Sequence, residues 1–156
     1  MEVSKEKRVE EKKPIRSFKD LEVYQVSFEA ANIIAREIIP KLPLKDPYNI
    51  RDQLARSSMA IPRLIAEGYG KRHQRLGFCK YLDDANSESN ETQVTLEQAK
   101  VAYGHLLDIK LVDELVITYD RISRQTYNLS SSWSNFATKT RTSQPLDQTS
   151  LPASAP

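Results

Sequence analysis

Three groups of residues carry enough chemistry to be tested as sites. Asp84, Glu88 and Glu91 stand four and three residues apart, which places three carboxylates on one helical face. Such a stripe would hold metal in a helical bundle if facing helices supplied Glu-x-x-His pairs. His73 and His105 are the only histidines, and neither belongs to such a pair. The stripe therefore reads as a solvated or interface-facing acidic surface, with no metal and no cofactor expected. The segment "EGYGKR" at Glu67–Arg72 spaces two glycines before a lysine, but it lacks the strand–loop–helix setting and the Lys-Ser/Thr ending of a phosphate loop. Cys79, the single cysteine, lies between Phe78 and Lys80 in helical sequence and reads as a packed, inert thiol. No set of residues has the make-up of a catalytic centre, so the expectation is a protein that is not an enzyme and acts by binding.

The basic residues offer the better lead. Between positions 51 and 80, Arg51, Arg56, Arg63, Lys71, Arg72, Arg75 and Lys80 stand against only Asp52 and Glu67, whereas residues 81–120 set Lys100 and Lys110 against nine acids. Arg56, Arg63, Lys71, Arg72 and Arg75 could contact the phosphates of RNA or DNA, and self-assembly would multiply each contact. Aromatic interleaving is slight, with Tyr69 the one ring close by, so stacking of bases on a platform has little support. The same charges could instead pair the basic helix with the acidic one across a subunit interface, setting register and partner choice. In that second reading Ser87, Ser89 and Thr92 would let helices approach closely along the seam. Both readings stay open, and a charge reversal at Arg63 and Arg72 would separate them.

These residues are positioned by helices. Leu21, Tyr24, Phe28, Ala31, Ala35 and Ile38 recur at steps of three and four, an apolar stripe of helical period. Ser17 and Asp20 have the spacing of a capping box, and Pro40 and Pro43 close the segment. Asp46-Pro47 is expected to open the second helix as N-cap and first helical residue. A third stripe runs through Phe78, Tyr81, Leu82, Ala85, Leu96, Ala99 and Tyr103 and ends near Gly104. Asp108 can cap a fourth, in which Leu111, Leu115, Tyr119, Ile122, Leu129, Trp133 and Phe136 recur, the last two as core anchors at the bundle end. Short connections make successive helices antiparallel neighbours. The fold expected is all-α, an up-down-up-down antiparallel four-helix bundle over residues 18–136. A disordered charged arm precedes it at 1–17, and a disordered Ser/Thr/Pro-rich tail follows at 137–156.

Within the second helix Leu54, Ile61 and Ile65 keep one phase on both sides of Pro62, which predicts a helix that bends at the proline and resumes. Gly68 and Gly70 then mark the exit, where a positive φ would terminate the helix. No apolar run approaches the roughly 20 residues that span a bilayer, and the N-terminal lysines precede no apolar segment of the secretory kind. One cysteine suits a reducing compartment. The expectation is a cytoplasmic protein without membrane contact.

"FKDLEVYQVSFEAA" at Phe18–Ala31, Leu42-Pro43, and "QLARSSMAIPRLIAEGYGKR" at Gln53–Arg72 together resemble the bacterial four-helix-bundle family that includes proteins encoded in intervening sequences of 23S ribosomal RNA genes. Gln53, Leu54, Arg56, Ile61, Pro62, Ile65, Ala66, Glu67, Gly68 and Tyr69 match its second-helix pattern, and Tyr81-Leu82, Ala85, Glu91, Leu96 and Tyr103 follow in compatible order. Ala55 and Leu64 depart from it, replacing an arginine and an asparagine, and Ser87 and Glu88 stand where small residues are usual. The resemblance covers roughly residues 18–130. It implies an all-α bundle, assembly into a homo-oligomer with a pentamer as the expected ring, and no established enzymatic activity. Within it, Pro62, Glu67, Gly68 and Gly70 form the structural motif. A more distant likeness to the accessory protein of diversity-generating retroelements implies, by analogy, nucleic acid and a reverse transcriptase as partners.

Overall fold

The computed structural model describes residues 13–142, with side chains to 139. Among the described residues there are four long helices and no strand, and the fold is a four-helix bundle. Helix α1 spans Glu22–Ile33, α2 Ile50–Gly70, α3 Gly77–Tyr103 and α4 Ile109–Thr142. Helix α3 packs on α2 and α4, and α1 lies against the other faces of the same two helices. Pairs such as Ser57–Thr92 and Glu67–Tyr81 between α2 and α3, and Ser89–Tyr119 and Lys100–Asp113 between α3 and α4, run through the numbering in opposite senses.

The capping box forms as expected. Asp20 Oδ2 accepts from the Ser17 backbone N–H at 2.9 Å while Ser17 Oγ accepts from the Lys19 N–H, opening a 3₁₀ turn at Phe18–Asp20 ahead of α1. After Ile33 the backbone widens into a π turn over Ile34–Ile38, followed by a 3₁₀ turn at Ile39–Lys41. Pro40 has no N–H for the Arg36 carbonyl, and the wider turn sets both Ile34 and Ile38 fully inside. Asp108 Oδ1 accepts from the Leu111 N–H, as its capping role requires.

Other expectations need correction. Asp46 and Pro47 do not begin α2. That helix starts at Ile50 after Asn49, which adopts φ 57°. Asp46 instead gathers the chain before it, accepting from the Tyr48 N–H, the Arg51 N–H and the Tyr103 hydroxyl. Burial pushes the Asp46 carboxyl up, but the bonds from Tyr103 and three backbone N–H groups together outweigh it and hold it below its ordinary value. The same bond raises the Tyr103 phenol to about 12. The position of the carboxylate is set by backbone donors two to five residues ahead and by Tyr103 from the end of α3, a partner that no cap pattern counts.

Tyr24 and Phe28 do not lead the core side of α1; Val23, Ala30, Ala31, Ile34 and Ile38 do, and Phe28 is 49% exposed. Helix α4 continues to Thr142, six residues beyond the expected end of the bundle at 136. Phe136, just before that extension, is largely exposed rather than a core anchor, whereas Trp133 is half-buried with its ring 5.1 Å from Phe78. Residues 1–12 of the arm and 143–156 of the tail lie outside the described residues.

Part of the polar middle of α3, namely Ser89, Thr92 and Thr95, faces the interior of its own chain, while Asp83, Asp84, Ser87 and Asn90 are exposed. Ser57, Ser58, Ser89, Thr92, Thr95 and Thr126 are buried. Thr92 Oγ1 lies 2.9 Å from Ser57 Oγ and 2.8 Å from the Glu88 carbonyl, and Ser89 Oγ donates to the Tyr119 carbonyl at 2.8 Å. Small hydroxyl residues let three helices approach closely while each polar atom finds a partner; Ser87, by contrast, is exposed. Since Thr92 is the side-chain partner of buried Ser57, Thr92→Val should destabilise the fold by about 1–3 kcal/mol by orphaning that hydroxyl. Adding Ser57→Ala should recover part of the loss, a non-additivity that urea unfolding of the single and double variants would register.

Candidate nucleic-acid interface

The far end of α2, the turn that follows it and the first turns of α3 bring together most of the residues of the second-helix motif. Helix α2 runs unbroken from Ile50 to Gly70 with Pro62 buried inside it, between Ile61 and Ile65 that are both sealed from solvent. Neither Gly68 nor Gly70 has a positive φ, so neither ends the helix in the way expected. Gly68 is there for space. A Cβ on it would stand 2.5 Å from the Tyr81 Cβ and 3.1 Å from the Phe78 ring, whereas a Cβ on Gly70 would meet nothing.

That close approach lays Tyr81 across the end of α2. The Tyr81 hydroxyl donates to Glu67 Oε1 at 3.0 Å, and the Lys71 ammonium donates to the same carboxylate at 3.0 Å and to the Tyr81 oxygen. The Lys71 nitrogen also sits 4.5 Å from the centre of the Tyr81 ring. Bonds from Lys71 and then Tyr81 hold the Glu67 carboxyl below its ordinary range, and bonds to Tyr81 and then Glu67 raise the Lys71 ammonium above its own. Beneath this set Tyr69, Phe78 and Trp133 make successive edge-to-face contacts, 5.9 and 5.1 Å between ring centres. The Arg72 guanidinium lies 4.1 Å over the outer face of Tyr69 and donates to the Tyr69 carbonyl.

The connecting turn is tightly wired. Gln74 N–H donates to the Lys71 carbonyl and Gly77 N–H to the Gln74 carbonyl. A Cβ at Gly77 would come within 2.7 Å of the Lys71 carbonyl. Leu76, just before it, adopts φ 54°, a left-handed conformation unfavourable for a leucine. Arg72, His73 and Arg75 project from this turn into solvent. From Gly68 to Leu82 there is no aspartate or glutamate, against Lys71, Arg72, Arg75 and Lys80.

The five basic residues singled out in the sequence therefore separate. Lys71, Arg72 and Arg75 share the turn. Arg56 lies well down α2, where it pairs with Glu91 and, at 3.5 Å, with Glu88, so two members of the acidic stripe are answered within the chain. Arg63 donates to the Met59 carbonyl and borders a groove between α1 and α2. Sequence reasoning did not single out Gly77 or Leu76, because the need for a small residue or a left-handed one is set by the turn closing on itself. Among the described residues no three His, Cys, Asp or Glu converge as a metal site, and no helix is long and apolar enough to cross a membrane. Cys79 is buried, its thiol 3.4 Å from the Ser130 carbonyl.

Two substitutions two residues apart should act with opposite sign. Gly68→Ala should destabilise by about 1–3 kcal/mol through overpacking against Tyr81. Gly70→Ala should stabilise by about 0.5–1 kcal/mol, since alanine restricts the unfolded chain and meets no obstacle. Chemical denaturation midpoints would check both. The Glu67 contribution to stability is present above the unfolded carboxyl value and lost as pH falls through its depressed folded value; that of Lys71 is present below the unfolded lysine value and lost as pH rises through its raised one. Tyr81→Phe removes a donor from Glu67 and an acceptor from Lys71, so NMR titration should find the Glu67 carboxyl moved up and the Lys71 ammonium moved down.

The sequence profile of the family described as 23S rRNA-intervening sequence protein matches residues 19–128, well over half of the chain. No curated protein and no solved structure matches it.

Proposed function

We propose, from the premise that the chain belongs to the 23S rRNA-intervening sequence protein family, that it is a non-enzymatic, cytoplasmic protein that assembles with itself and binds structured RNA through the turn between α2 and α3. The observation that supports this best is the exposed, acid-free run around Lys71, Arg72 and Arg75, held on a backbone that its own hydrogen bonds make rigid. Pre-ordered cations contact phosphate without the entropy loss of ordering a loose segment. Of the carboxylates that bound this run in sequence, Glu67 is engaged by Lys71 and Tyr81 and Asp83 accepts from the Ser130 hydroxyl. Arg72, stacked on Tyr69 and without an acid partner among the described residues, suits a phosphate contact better than Arg56, which pairs with two glutamates.

The same reading includes an up-down-up-down connectivity, supported by the opposite senses of the α2–α3 and α3–α4 pairs, and a bend at Pro62, whose missing N–H leaves the Ser58 carbonyl without its helical donor. Assembly as a homopentamer follows the family likeness. It would present five copies of the basic turn and raise affinity through multivalency.

Binding of a 23S rRNA hairpin transcript across a salt series tests the proposal. Affinity should fall linearly on a log–log scale with salt. Arg72→Ala and Arg75→Ala should each weaken binding and reduce the slope by about 1, while Arg56→Ala leaves the slope unchanged. Binding that is absent, or that ignores salt and these arginines, would defeat the RNA reading and leave a protein-interaction scaffold in its place.

A further inference from the structure

Two exposed apolar surfaces flank α2 on opposite sides. The first is a groove of about 440 Å³ between α1 and the second half of α2. Phe18, Tyr24 and Phe28 line one wall as a continuous ring ladder, with centres 4.9 and 5.9 Å apart, and Met59 and Pro62 form the other. The second surface joins the start of α2 to the end of α3. Val94 and Val101 stand on it 54% and 89% exposed, beside a Tyr48 that is 65% exposed. Val94, Gln98 and Val101 follow at steps of four and three, so they share one helical face.

Each surface holds one charged residue among its lining. In the groove it is Arg63, and on the valine face it is Glu97. Neither forms an ion pair among the described residues. A single charge of opposite sign in the lining of each of two apolar surfaces is what complementary halves of one contact would carry: the apolar rings and valines supply burial, and the charges supply register and orientation.

We infer that the aromatic groove of one copy receives the valine face of a second copy, with Arg63 paired to Glu97 across the contact. This rests on the self-assembly reading above and names the surfaces through which it would occur. The contact is head-to-tail, joining two different patches, and such contacts build closed rings or continuing chains of copies rather than isologous dimers. Because the two patches flank α2 on either side, successive copies turn relative to one another. Arg63 then belongs to assembly, and the basic turn, which lies beyond the groove along α2, stays open to solvent in every copy.

Light scattering on the full chain, after size exclusion, tests this with exposed positions only. Wild-type protein should run as one oligomer. Arg63→Glu and Glu97→Arg should each weaken assembly at least tenfold in the concentration needed, and the two changes together should restore it. Phe28→Asp and Val101→Asp should each give monomers, and an equimolar mixture of the two should give a one-to-one dimer, because one intact groove meets one intact face. A wild-type monomer overturns the self-assembly reading itself. A wild-type oligomer whose mass is indifferent to all four single changes overturns this contact alone, as does a mixture that stays monomeric or a double reversal that fails to reassemble.

Discussion

The closeness of α3 to the end of α2 is the constraint on which the rest of this structure depends. It is possible because Gly68 has no side chain: any Cβ there would overlap Tyr81. With the helices that close, one tyrosine can reach a carboxylate and an ammonium on the neighbouring helix end. The rings of Tyr69 and Phe78 meet edge to face below, and Trp133 closes the stack from α4. The six-residue connection from Lys71 to Leu76 is then short enough to close on its own backbone, with Lys71 turned to Glu67 and Tyr81 and Arg72 and Arg75 exposed.

Further down the same pair of helices, the approach is maintained by hydroxyls instead of by glycine. Ser57 and Thr92 touch across the interface, and Ser89 reaches the backbone of α4. This arrangement uses residues that a hydrophobicity pattern scores as surface, and it explains why Ser89, Thr92 and Thr95 in the middle of α3 are both polar and buried. Next to the seam, Arg56 meets Glu88 and Glu91. The opposite charges of α2 and α3, which in linear sequence suggest attraction between subunits, are thus partly consumed inside one subunit, at surface positions where each pair contributes modestly.

What remains uncompensated is informative for the same reason. Arg56 and Lys71 meet acids of their own, whereas among the described residues Arg72, Arg75, Arg63 and Glu97 form no ion pair. The turn is polar and open, as phosphate recognition needs. The surfaces around Arg63 and Glu97 are apolar, as protein contact needs. On the proposed reading, α2 would be divided between assembly on its flanks and binding at its end.

Much of this protein was determined by the sequence by itself. Periodicity fixed the number of helices, the Ser17–Asp20 box and Asp108 marked starts that the structure keeps, and the Gln53–Arg72 motif pointed to the family. These are local signals, decided within a few residues of chain. Only tertiary structure decided the rest: that Gly68 serves a neighbouring tyrosine rather than a turn, that Thr92 faces inward while Phe28 faces out, and that Arg56 meets Glu88 and Glu91 while Arg63 meets no acid among the described residues. Each of those outcomes depends on what a different helix places within a few ångströms, and a helical period constrains a residue's direction around its own axis without saying what stands there to meet it.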